Sequence, residues 1–99
     1  MKGGKKMANN IFISYDLNSP GQDYSTIIDE IKSLGRWAKV QKSLWYVDTN
    51  LSVDEVYDRV SLKMDSNDSL IVIDAKNNNA IWNNLADDVG KLIKDTWSI

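Results

Sequence analysis

An apolar run that stops on a carboxylate sets the terms for this chain: Ile11-Phe12-Ile13-Ser14-Tyr15-Asp16, followed closely by Asn18, Ser19, Pro20 and Gly21. Branched and aromatic residues over this length, bounded by turn formers, specify a buried strand. The strand delivers one acid to the loop at its exit, and loops held by a rigid scaffold are where chemistry is presented. Asp16 also has a purely structural reading, because Asp and Asn beside Pro and Gly bond their own backbone and close turns.

Beyond this strand the hydrophobic period changes several times. Over 24–34, Ile27, Ile28, Ile31 and Leu34 recur on one helical face, with Asp23 or Ser25 placed to cap it and Gly35 to stop it. Over 36–48 the stripe gives way to Trp37, Val40, Leu44, Trp45, Tyr46 and Val47, read as two strands or one bent strand changing near 41–43. Ser52 and Glu55 stand at capping-box spacing before a second apolar face of Val53, Val56, Tyr57, Val60 and Met64. A turn at 65–68 leads into Leu70-Ile71-Val72-Ile73, a strand ending on Asp74. Ile81, Trp82, Leu85, Val89, Leu92, Ile93 and Trp97 then predict a third helix interrupted by Gly90.

The order βαββαβ followed by α predicts an α+β, ferredoxin-like fold: an antiparallel sheet, two helices on one face and an added C-terminal helix. Residues 70–73 are apolar on both faces, where an open sheet would alternate. The face away from the first two helices therefore needs a cover: helix three, a second subunit, or both.

Composition narrows the chemistry. The chain has 99 residues, enough for one domain with one modest core, and oligomerisation is a reasonable way to bury more apolar surface. There is no cysteine and no histidine, which excludes disulfides, thiolate and imidazole metal sites and the Ser-His-Asp triad. Carboxylates, Tyr, Lys and Ser remain, and a metal would be a hard cation held by oxygen. No apolar run is long enough to span a bilayer and no signal peptide is visible, so a cytoplasmic protein is expected. Residues 1–7, small and basic before a second Met, read as a leader outside a single domain at 8–99. Without Lys2, Lys5 and Lys6, nine basic residues face 14 acidic ones, a balance that disfavours indiscriminate nucleic-acid binding.

The strand ending Tyr15-Asp16, the helix ending Leu34-Gly35, the pair containing Gln41-x-Ser43 and the final strand at Asp68-Ser69-Leu70-Ile71-Val72 together resemble Cas-two, the small CRISPR-associated protein of spacer adaptation. The VapD-type ribonucleases share its fold. The resemblance covers 11–74, and the helical tail is closer to a divergent, SinR-like branch. Leu17-Asn18-Ser19-Pro20 stands where related sequences often carry a basic residue. The resemblance implies a homodimer with facing sheets, in which Asp16 of each subunit approaches its twin and can hold a divalent metal.

Two function classes follow. In the first, a metal-dependent endonuclease, Asp16 holds Mg²⁺ or Mn²⁺, Ser14 on the same strand face orients a water, and Asn18 adds an oxygen. In the second, a non-catalytic module binding RNA or DNA or assembling with a protein partner, Lys32, Arg36, Trp37, Lys39 and Lys42 meet phosphates and bases, with no acid among 32–42. The structural account of the same residues is a solvated lysine edge that discourages aggregation, with Trp37 in the core. A VapD-type toxin ribonuclease is a further alternative.

Overall fold

The computed structural model describes residues 9–18, 24–76 and 80–97. The leader expected over 1–7, the candidate cap Asp23 and the asparagine loop at 77–79 lie outside the described residues. The elements are β1 (Asn9–Asp16), α1 (Ser25–Lys32), β2 (Arg36–Gln41), β3 (Leu44–Thr49), α2 (Val53–Ser61), β4 (Ser69–Asp74) and α3 (Asp87–Thr96). The strands form one sheet in the order β2-β3-β1-β4, and every neighbouring pair is antiparallel. This is the ferredoxin-like α+β plan with a C-terminal helix added.

Alternation along the strands sorts the side chains onto two faces. Ile11, Ile13, Tyr15, Trp45 and Val47 point to one face, where they pack with Ile27, Ile31 and Leu34 from α1 and its exit and with Val56 and Val60 from α2. Tyr57, expected on the buried stripe of α2, is 49% exposed. The capping box forms as its spacing predicts: Ser52 Oγ accepts from the Glu55 amide at 3.1 Å, and Glu55 accepts from the Ser52 amide at 2.8 Å. Arg59 ties α2 to α1 through Glu30 at 2.9 Å and Ser33 at 3.2 Å.

Gly35 ends the α1 segment but has a stricter role. A Cβ built there would stand 2.1 Å from the carbonyl oxygen of Asp48, so only glycine lets the chain pass β3 this closely.

The opposite face is covered in part by α3, which lays Ile93, Thr96 and the following Trp97 near Phe12 and Tyr46. The expected helix starts later than its apolar spacing suggests. Ile81, Trp82 and Leu85 precede α3, because Asn84 adopts a left-handed backbone with φ 61°. Asp87 and Asp88 then fill the first helical turn, where free amides favour negative charge. The indole of Trp82 returns over α3, and a Cβ on Gly90 would lie 3.1 Å from its Nε1. The glycine that interrupts the stripe is the seat of that ring.

Candidate functional site

Asp16 and Ser14 project from the end of β1 onto the face that α3 only partly covers. Register places Ser69 opposite Asp16 and Ile71 opposite Ser14, and these residues with Tyr15 and Leu70 line a shallow depression of about 250 Å³. Asp16 is exposed, and the hydroxyl-bearing residues Ser14 and Ser69 lie on its own face. Sequence reasoning missed Ser69. The ferredoxin-like order held its only signal, since in that plan the last strand pairs with the first and brings the start of β4 to the end of β1.

The loop after Asp16 is tied down by a different acid. Asp68 Oδ1 accepts from the Asn18 amide at 2.8 Å, its Oδ2 accepts from the Asp65 amide at 2.8 Å, and the Asn18 side chain donates to the Asn67 carbonyl at 2.7 Å. Asn18 is therefore engaged in joining the exit of β1 to the turn before β4. Asp74 serves its own turn, accepting from the Lys76 amide at 2.9 Å. Among the described residues no three acids converge as a metal cage. One chain offers the single carboxylate of Asp16 with two neighbouring hydroxyl side chains. That donor set suits one half of a hard-cation site completed by substrate phosphate, water or a second carboxylate.

The basic residues divide between locations. Trp37 and Lys39 face the α1 side of the sheet, paired in register with Val47 and Trp45. Lys32, from the last turn of α1, places its ammonium 4.6 Å from the centre of the Trp37 ring, and Lys39 lies 5.7 Å from that of Trp45. The two indoles pack at 5.6 Å, tilted by 56°. Trp45 is buried, whereas Trp37 is 40% exposed, so it is a rim residue rather than core. Arg36 falls on the opposite face, in register with Asp48, and Lys42 sits in the β2–β3 turn. Lys32, Trp37 and Lys39 thus form a cluster that Arg36 and Lys42 do not join.

A second concavity, of about 280 Å³, lies between the sheet and the approach to α3, lined mainly by Phe12, Val40, Leu44, Trp82, Leu85 and Ile93. Among the described residues no helix is long and apolar enough to cross a membrane. Comparison with protein-family models, with curated proteins and with solved structures finds no match to this chain.

Proposed function

We propose that this is a Cas-two-like, cytoplasmic homodimer that associates with nucleic acid through the Lys32, Trp37 and Lys39 edge. The observation that carries the reading is the gathering of two lysines around the exposed Trp37 indole, which packs on the buried Trp45 at one rim of the sheet. Single-stranded nucleic acid is bound by this combination, cations for the backbone and an aromatic face for the bases. Lys32 covers the Trp37 ring, and as an exposed, flexible side chain it can swing from the ring to a phosphate. The acidic balance of the whole chain confines attraction to such a local rim.

Anisotropy of labelled single-stranded RNA and DNA, titrated in salt, tests the reading. Lys39→Ala is expected to weaken binding and lower the salt slope by about one. Trp37→Ala should cost about 1–3 kcal/mol for a stacked base. Lys42→Ala, outside the cluster, should change less. Unaltered binding by folded Lys39→Ala and Trp37→Ala proteins removes this surface from the proposal.

A second reading, metal-dependent endonuclease, is favoured by the exposed Asp16 with Ser14 and Ser69 at its side. Mg²⁺ or Mn²⁺ bound there would supply Lewis-acid activation of a phosphoryl oxygen or water. Asp16 would hold the cation, and the serine hydroxyls would orient a water. Cleavage of labelled RNA or DNA that requires a divalent cation, stops with EDTA and is lost in a folded Asp16→Ala variant is the expected result under this reading. Equal cleavage by wild type and Asp16→Ala would assign it to a contaminant.

A further inference from the structure

The sheet has two edges, and they are finished differently. β2 carries Arg36 and Lys39 and has a register irregularity between Lys39 and Gln41. Charged side chains and bulges are the devices that keep an edge strand from pairing. β4, Ser69–Asp74, has no charge before its last residue, no proline, and an uninterrupted register with β1. Its outer face leaves Ile71 57% and Ile73 48% exposed.

Hydrogen-bond parity shows which backbone groups this edge offers. The Ala75 amide donates to the Asn10 carbonyl at 2.9 Å, so Ile73, Ile71 and Ser69 also direct their amides and carbonyls toward β1. Those of Leu70, Val72 and Asp74 point away from the sheet.

We propose that β4 pairs with β4 of a second copy, antiparallel about a two-fold axis through Val72, making one continuous sheet across both protomers. The inference takes from the preceding reading only that two copies associate; its edge-to-edge geometry replaces the facing sheets that the resemblance implies, and it is independent of nucleic acid. In this register Val72 meets its twin and Leu70 meets the partner's Asp74, so every outward amide and carbonyl of β4 finds a reciprocal partner. Ile71 falls beside the partner's Ile73 at the close-approaching, non-hydrogen-bonded positions, twice over. Beyond the strand ends, Lys76, which pairs with Asp74 of its own chain at 3.7 Å, comes opposite the partner's Asp68. The acid before the strand meets the lysine after it only when the two copies run antiparallel. A slip of two residues places Ile71 against its own copy and removes the Lys76 match.

This dimer has a consequence for Asp16. The two carboxylates lie at opposite ends of the joined sheet, roughly 25 Å apart from strand rise and spacing. They cannot share one metal in it.

Sedimentation equilibrium of the wild-type chain over a concentration series, with amide hydrogen exchange at Leu70, Val72 and Asp74, is the test. The expected result is a dimer in which these amides become protected as concentration rises. Ile73→Lys, at an exposed position, should weaken dimerisation at least tenfold while its circular dichroism is unchanged. Because the chain has no cysteine, mixing Ile71→Cys and Ile73→Cys proteins under mild oxidation should yield the mixed cross-link. A dimer whose Val72 amide exchanges freely overturns edge pairing while leaving the homodimer standing. A monomer at every concentration overturns both, and preferential Ile71→Cys self-cross-linking overturns the register.

Discussion

The hydroxyl of Tyr46 sits in a buried layer beneath α3, 3.0 Å from Asn10 Oδ1 and 2.8 Å from Thr96 Oγ1. Thr96 also reaches the Leu92 carbonyl at 2.8 Å, so three short contacts draw on two hydroxyl protons. Asn10 extends the chain of bonds by donating to the Lys76 carbonyl at 2.9 Å, which connects the exit of β4 to α3. Tyr46→Phe leaves buried polar atoms short of a partner and is expected to cost about 1–2 kcal/mol. Burial pushes this phenol above its usual value of 10.0; the Thr96 bond and Arg36 oppose the shift, and the Asp48 charge adds to it. The folded state therefore keeps the neutral form. Its contribution is complete below the unfolded value of about 10 and declines as pH rises through that value toward the higher folded one. Urea midpoints of wild type and Tyr46→Phe should accordingly converge at alkaline pH, and a gap that stays constant past pH 11, about one unit above the free phenol, would contradict this.

Among the elements, α2 shows how far local signals reach. Ser52 and Glu55 predict its first turn, and the reciprocal bonds form; Ser52→Ala should lower stability by about 1 kcal/mol, read from the chemical-denaturation midpoint. Strands β1, β3 and β4 and helices α1 and α2 are legible because period and turn residues act over a few neighbouring positions. The start of α3 is not, since Ile81, Trp82 and Leu85 keep helical spacing while Asn84 breaks the backbone and Trp82 folds onto Gly90. Helical spacing of apolar residues guarantees neither a helix nor burial, and Ile81, the first of them, is 97% exposed. The candidate site divides in the same way. Asp16 at a strand exit was legible from 11–16 alone, but Ser69 beside it depends on pairing across the sheet. The basic run 32–42 was legible as a run. The strand's alternation then sends Arg36 to one face and Lys39 to the other, and the position of α1 brings Lys32 over Trp37.

At the scale of the molecule, a chain of this length buries a smaller share of its surface than a large domain does, and association adds stability by mass action. If β4 joins two copies, the thermal midpoint of the wild type should climb with protein concentration, while that of Ile73→Lys should stay flat. Parallel calorimetric scans of the two proteins over a hundredfold range give the comparison. The sheet order bears also on how the chain is made. β1 is synthesised before its neighbours, yet it occupies the interior of the sheet, between β3 and β4. Its partner at Asp16 is Ser69, most of the chain away. As the polypeptide emerges, this first apolar strand must therefore wait for both flanks, and α1 is the earliest surface available to shield it. Chaperone capture of a ribosome-bound nascent chain should peak before β4 has emerged and fall once the sheet can close.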